Sequence, residues 1–267
     1  MAFEVAAESY MRFMGRYSEP LAEKLVDLVD PRHGQRALDV GCGPGAVTER
    51  LVRRLGPDDV AAIDPSVPFV EAARRRCPGV DVRHGVAEAL PFEDGAVDLT
   101  LAQLVVPFMT DPVAGLREMA RVTAPGGPVS ASVWDFGGER APLSTFWRAA
   151  RDVDPGAVDE AAEVGARTGQ LADLFRAAGL EDVRSYELTV ISAYAGFAEW
   201  WEPYTLGVGP AGDYVAALDA DTRRAVEARC RELLSAGPFE VSATAWTVVG
   251  RTRPGSSAAA ATVPGAS

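Results

Sequence analysis

The stretch Leu38-Asp39-Val40-Gly41-Cys42-Gly43-Pro44-Gly45 decides how the rest of the chain is read. An apolar strand runs into a turn with three glycines, and a helical pattern from Val47 to Leu55 follows at once. Glycine lets a turn take positive φ angles and lets a ligand approach the main chain without meeting a Cβ. The helix behind the turn offers free N–H groups at its start. The glycine spacing is G-x-G-x-G, and Ala46 stands at the third glycine position of the dinucleotide fingerprint G-x-G-x-x-G. That fingerprint accepts alanine there, so spacing alone leaves a dinucleotide open. Asp39 upstream and Pro44 between the glycines shift the balance away from it.

Short apolar runs alternate with helical patterns on either side. Strands are expected over 36–40, 60–63, 80–83, 97–102 and 129–133, with helices over 47–55, 68–77 and 112–121. Such alternation indicates βαβ units and a largely parallel sheet. Upstream, residues 1–30 read as two helical pieces broken between Gly15 and Pro20. Downstream, helices are expected over 142–151 and 168–178, the second capped by Thr168. Two long β-type stretches follow, 183–191 and 241–252, and between them lie an aromatic segment and a helix over 222–234. The expected organisation is one domain over 1–252, with an N-terminal helical cap over 1–35 and a helical insertion over 195–238. Residues 253–267, rich in Ala, Ser, Gly and Pro, are expected to form a disordered tail.

With 267 residues, 48% of them hydrophobic and 24% charged, the chain can bury a large core. No apolar run reaches the roughly 18 residues of a bilayer span. Met1 to Val5 lacks the basic start of a secretory signal, so the cytoplasm is the expected compartment. The net charge of −12, with Lys24 the sole lysine, argues against nucleic acid as a partner. Neither nucleic acid nor a membrane is expected to be bound. A small-molecule substrate is, by a monomer or a homodimer. Cys42, Cys77 and Cys230 are odd in number and widely spaced, and His33 and His84 are the two histidines, so no disulfide framework or metal site is expected.

Leu38 to Gly45 resembles motif I of the class I S-adenosylmethionine-dependent methyltransferases. Three further segments extend the resemblance in order. Ala62-Ile63-Asp64-Pro65-Ser66 resembles the second motif, an acid closing strand two. Glu88-Ala89-Leu90-Pro91-Phe92 with Asp98-Leu99 resembles the segment around strand four. Glu118-Met119-Ala120-Arg121-Val122 with Pro125-Gly126-Gly127 resembles the stretch before strand five. Together they cover about residues 10–134, and the subgroup they resemble is the broad UbiE-like set of small-molecule methyltransferases. The resemblance implies a Rossmann-like, doubly wound α/β fold. Its mostly parallel seven-stranded sheet would have an antiparallel last strand and a helical insertion or lid. It implies S-adenosyl-L-methionine as cofactor. Gly41 and Gly43 would meet the methionine part. Asp39 would orient the loop or the ammonium group, or simply tie down backbone N–H groups. Asp64, 23 residues after Gly41, would accept from the ribose diol, with Pro65 beside it. The family often places an acid against adenine in a Gly-Asp-Ala sequence. Here it is Gly85-Val86-Ala87, leaving Val86 to cover the ring and the Ala87 backbone to meet its edge. Gln103 is either a methionine contact or a structural amide.

Methyl transfer from a sulfonium is an in-line displacement, and the protein chiefly orients the partners and excludes water. No general base announces itself. Tyr17, Asp135, Glu139, Glu202 and Tyr204 fall in segments expected to roof the site, without a motif to single one out, so the catalytic group is unknown at this level. The acceptor pocket is expected from Tyr17, Trp134, Trp200, Trp201 and Tyr204, since adjacent tryptophans point different ways and cannot easily share one core. The expected activity is methyl transfer to O, N or C of a small, partly apolar metabolite. The competing readings are a methyltransferase fold that catalyses another reaction, such as a cyclisation, or a non-catalytic binding subunit.

Overall fold

The computed structural model describes residues 7–254. Of the tail expected over 253–267, residues 255–267 lie outside the described residues, as do 1–6 of the cap. Seven strands form one sheet: β1 Ala37–Val40, β2 Val60–Asp64, β3 Asp81–His84, β4 Leu99–Gln103, β5 Pro128–Trp134, β6 Glu181–Tyr194 and β7 Phe239–Arg251. Their order is β3-β2-β1-β4-β5-β7-β6. The pairings β1–β2, β1–β4, β2–β3 and β4–β5 are parallel, and β7 runs antiparallel to both β5 and β6. The mostly parallel α/β sheet with an antiparallel last strand is therefore present. The strand order reverses at β1, and ligands of open α/β sheets bind outside the strand ends at such a switch point. The glycine turn leaves β1 there.

The helices are α1 Ala7–Tyr10, α2 Arg16–Val29, α3 Ala46–Leu55, α4 Val67–Arg76, α5 Pro112–Val122, α6 Ser144–Val153, α7 Gln170–Ala177, α8 Phe197–Trp201, α9 Gly209–Ala217 and α10 Ala220–Leu233. Side chains alternate across the buried strands, so each helix layer finds its own face. Leu38, Val40 and Ile63 pack with Leu116, Met119 and Phe175 of α5 and α7. Ala37, Leu99 and Leu101 pack with Leu25 of α2 and with Leu51 and Leu55 of α3.

Two local expectations change. The N-terminal pieces are not broken between Gly15 and Pro20: a π-helical turn over Met11–Gly15 joins α1 to α2, and Pro20 sits inside α2. Widened turns of this kind are tolerated inside helices and often stand at functional sites. Thr168 does not cap α7. The helix is entered through Gly169 at φ 83°, with no side-chain cap.

The larger correction concerns the aromatic insertion. β6 and β7 outrun the sheet, and the segment between them, α8 to α10, folds with α6 and the start of α2 into a separate aromatic cluster. Trp200 and Trp201 are only 2% and 7% exposed, and neither lines the cavity in front of the glycine turn. Trp201 stacks on Phe197 and Tyr204, while Trp200 packs against the same two rings from another direction. Adjacent tryptophans share one core here because the segment is covered on more than one side. Tyr204 stacks on Phe146 with centroids 4.6 Å apart. The Tyr17 hydroxyl pairs with that of Tyr194 at 2.7 Å, and burial pushes the Tyr17 hydroxyl well above its ordinary titration range. Tyr17, Trp200, Trp201 and Tyr204 are thus core residues, not cavity walls. Trp200→Ala is expected to lower unfolding free energy by about 3–5 kcal/mol, the usual cost of emptying a buried aromatic site. Urea denaturation checks this, and an unchanged midpoint would contradict the placement.

Candidate active site

The turn after β1 owes its shape to contacts with the end of β2. The N–H groups of Gly41 and Cys42 both donate to the Ile63 carbonyl, at 2.7 and 3.0 Å. Gly43 N–H donates to Asp64 Oδ2 at 2.8 Å, and Ser66 N–H to Asp64 Oδ1 at 2.8 Å. Asp64 is 5% exposed; burial raises its pKa, and the two backbone bonds act the other way. Gly41 and Gly43 hold φ 68° and 53°. A Cβ on Gly41 would run into the Val105 side chain, whereas one on Gly43 meets nothing within 4 Å. Gly43 is therefore the bare main chain that a ligand can approach.

Asp39 is buried one layer below. Its Oδ2 accepts from Thr48 Oγ1 at 2.6 Å, which ties β1 to the first turn of α3. Burial pushes its carboxyl up to about 7, and the Thr48 bonds partly offset this.

In front of the turn lies a cavity of about 540 Å³. One end is lined by Gly41, Gly43, Asp64, Pro65, His84 and Gln103, and the other by Trp134, Phe136, Leu143, Glu160, Glu163 and Val208. Tyr10, Phe13 and Met14 of the N-terminal cap also line it. An adjoining recess of about 30 Å³ shares Gly41, Gly43 and Gln103 with the cavity and reaches Asp39. Gln103 Nε2 donates to the Ser18 carbonyl at 2.9 Å, so its Oε1 is the free end, buried and without a donor among the described residues. Leu104, the next residue, lines the cavity at φ 63°, a strained conformation of the kind that clusters at ligand sites.

Of the residues singled out by resemblance, Gly41, Gly43, Asp64, Pro65 and Gln103 line the cavity, and Asp39 lines the recess. Val86 and Ala87 do not. Val86 is 45% exposed and Ala87 packs in the core beneath α5. His84 lines the cavity instead, its Nε2–H donating to the Pro65 carbonyl at 2.9 Å. Of the five expected pocket residues only Trp134 lines the cavity. The carboxylates weighed as bases are occupied elsewhere. Asp135 is buried against Arg140 Nε at 2.6 Å, Glu139 pairs with Arg151 at 2.9 Å, and Glu202 with Arg12 at 2.7 Å. The structure brings in Glu160 and Glu163, which no motif marked.

The cavity fits the cofactor that the motifs imply. Gly43 offers unhindered main chain, Gln103 Oε1 an unused acceptor for an ammonium, and Asp64 a carboxylate whose second lone pairs can take hydroxyl donors. Among the described residues no cluster of His, Cys, Asp and Glu could hold a metal ion, and no helix is long and apolar enough to cross a membrane. The two glycines separate packing from access. Gly41→Ala is expected to cost about 2–5 kcal/mol, the left-handed penalty plus a clash, and Gly43→Ala about 1–2 kcal/mol, the left-handed penalty alone. Equal urea midpoints for the two variants would contradict the geometry.

Residues 38–131 match a family model described as a methyltransferase domain. The chain is 33% identical over 281 residues to nocamycin O-methyltransferase of Saccharothrix syringae, an alignment covering 95% of this chain and 98% of that protein. It is 31% identical over 243 residues to an uncharacterized 37.1 kDa protein in transposon TN4556 of Streptomyces fradiae, covering 86% of this chain and 66% of that one. In fold it is similar to the YcgJ protein of Bacillus subtilis, with a TM-score of 0.57 at 18% identity over 88% of this chain and 98% of the other. The glycine turn on its switch point, the acid closing β2 and full-length similarity to a methyltransferase converge: the chain belongs to the class I S-adenosylmethionine-dependent methyltransferases and takes S-adenosylmethionine as its cofactor.

Proposed function

We propose that this enzyme transfers the methyl group to O, N or C of a small, partly apolar molecule, as a cytoplasmic catalyst of the UbiE-like kind. The observation that carries this reading is the continuity of the cavity. One space runs from Gly43 and Asp64 to Trp134 and Phe136, so a donor at the first end and an acceptor at the second would share one chamber. The similarity to a protein named as an O-methyltransferase favours oxygen as the acceptor atom. Residues 1–252 act as one catalytic unit, with the N-terminal cap and the insertion closing the acceptor end.

At the donor end, Gly41 and Gly43 present main chain to the methionine part. Asp39 and Gln103 Oε1 face its ammonium. Asp64, already holding Gly43 and Ser66, accepts from the ribose hydroxyls, and Pro65 and His84 border the base. The bound cofactor supplies an electrophilic methyl on a sulfonium. The chain's residues orient it, keep water out and surround the positive charge with carboxylates and aromatic rings.

Calorimetric titration with S-adenosylmethionine and S-adenosylhomocysteine tests the donor end, and incubation with labelled cofactor and candidate acceptors tests transfer. Binding without transfer to any acceptor would favour the cyclisation reading. Asp64→Ala is expected to weaken S-adenosylhomocysteine binding by about 1–3 kcal/mol, through lost charge-assisted hydrogen bonds; an unchanged affinity would remove Asp64 from the site. The sign of the pH dependence follows from Asp39. Burial holds it neutral below about 7 in the free enzyme, and an ammonium alongside favours its ionised form. S-adenosylhomocysteine affinity is therefore expected to rise about tenfold between pH 5.5 and 7.5, one unit of differential protonation, and to stay flat in Asp39→Asn. A flat wild-type profile would count against that role.

A further inference from the structure

At the acceptor end of the cavity stands a carboxylate with no structural counter-charge. Glu160 lies in a short 3-10 turn between α6 and α7 and is 7% exposed while lining the cavity. Its Oε2 accepts from the indole N–H of the buried Trp147 at 2.8 Å. That bond fixes the carboxylate plane. The other oxygen, Oε1, receives no hydrogen bond from any described residue. Glu160 lines the cavity with one oxygen held and the other open, so a ligand that brings a donor can pair the second oxygen of a carboxylate whose burial costs free energy. A polar atom that is buried and unpartnered lies in the same lining: Trp134 lines the cavity, and its Nε1–H has no acceptor among the described residues.

The surroundings restrict what that ligand is. Asp64, Glu160 and Glu163 line the cavity, and no lysine or arginine does. An acceptor bearing a carboxylate or phosphate would meet these carboxylates with no lysine or arginine beside it to offset the repulsion. An amine would be held as its ammonium by two neighbouring carboxylates, with its lone pair tied up. A hydroxyl on an uncharged apolar frame fits: it donates to a carboxylate, accepts from an indole, and packs against Phe136, Leu143 and Val208.

We propose that Glu160 is the acceptor-side base: it takes the hydrogen bond, and during transfer the proton, of a hydroxyl carried by a neutral, apolar acceptor. In the step, a lone pair of the hydroxyl oxygen forms the new O–C bond as the C–S bond breaks. The C–S electron pair stays on sulfur, leaving a neutral thioether. The hydroxyl proton passes to Glu160 Oε1, and the carboxylic acid later returns it to water. Burial pushes the Glu160 carboxyl up to about 7, the Trp147 bond opposing, with Glu163 and Asp159 adding to the rise. Of the other charged and titratable groups around it, Arg151 of α6 is spent on Asp159 and Glu139, and Tyr204 is a buried neutral hydroxyl. A base poised near neutrality is well matched to proton transfer at working pH.

This inference rests on the methyl-transfer reading, and its test separates the two. The full chain, saturated with S-adenosylhomocysteine, is titrated with 2-naphthol, naphthalene, 2-naphthoate and 2-naphthylmethylamine between pH 5.5 and 8.5, by calorimetry and naphthol fluorescence. The wild type is expected to bind 2-naphthol about tenfold or more tightly than naphthalene, the margin of one charge-assisted hydrogen bond, and to reject 2-naphthoate. The margin should grow as pH rises through about 7, as Glu160 ionises. Glu160→Gln should bind S-adenosylhomocysteine normally yet lose the margin and its pH dependence, and Glu160→Asp, the conservative carboxylate, should recover part of both. If Glu160→Gln does not fold, the pH profile of wild type against Glu160→Asp decides. A wild type that binds S-adenosylhomocysteine but does not distinguish 2-naphthol from naphthalene, or prefers the amine or the acid, overturns the role of Glu160 alone. A wild type that does not bind S-adenosylhomocysteine overturns the donor-site assignment beneath it.

Discussion

The Asp64 carboxylate carries two main-chain N–H groups, one from the turn after β1 and one from the entry to α4, each at 2.8 Å. One residue earlier, the Ile63 carbonyl takes both Gly41 and Cys42. The end of β2 is thus the mould on which the glycine turn sets. Charge buried at this depth is tolerated only because backbone dipoles meet it. The same bonds keep Gly43 facing open space and leave the outer lone pairs of the carboxylate for a ligand. A second carboxylate, Asp39, works one layer down by holding Thr48 and so the start of α3. Sheet, turn and helix are aligned at the switch point by two short acids, and every other feature of the site is placed relative to them.

The acceptor end follows a different logic. It is assembled not from strand ends alone but from the cap, the loop after α6 and the inserted helices. Tyr10, Phe13 and Met14 reach the cavity from the cap, and Phe13 meets Tyr204 edge-on at 5.1 Å. Arg12 reaches both oxygens of Glu202, at 2.7 and 2.8 Å, and Arg16 donates to the Ala193 carbonyl at 2.9 Å and pairs with Glu199. Exposed ion pairs add little stability, so the aromatic packing holds the cap on the insertion and the arginines choose the register. The π-helical turn over Met11–Gly15 sits at this junction and carries Phe13 and Met14, which line the cavity.

What the chain discloses before folding divides along the same line. The sheet, its order of elements, and the roles open to Gly41, Gly43 and Asp64 are local properties: a strand, a positive-φ turn and an acid at fixed spacing. Gln103 was legible as a position and ambiguous as a role, because only the Ser18 carbonyl across the fold decides which end of its amide is free. Trp200 and Trp201 misled because adjacency says that two side chains point different ways without saying what lies on either side. In the fold Phe197 and Tyr204 cover both. Val86 misled for the converse reason: it stands at a motif position, but the backbone there turns it to solvent. Glu160 left no trace, since a lone acid between two helices has the signature of a surface loop. Its meaning appears only when Trp147, thirteen residues upstream, closes over one oxygen.

Charge conservation joins the two ends. Before transfer the cavity would hold one positive sulfonium among carboxylates, a favourable arrangement at low dielectric. Transfer to a neutral hydroxyl abolishes that cation and, in the same event, liberates a proton. A cavity lined by three carboxylates and no lysine or arginine would be left with more negative charge unless the proton stayed inside. A carboxyl that burial has already brought near neutrality is the group most ready to keep it. The proton held on Glu160 then offsets the charge lost at sulfur, and the methylated product, neutral and without its hydroxyl proton, no longer donates to that carboxylate. The absence of lysine and arginine from the lining, which disfavours acidic acceptors, also keeps any competing cation from blunting this exchange.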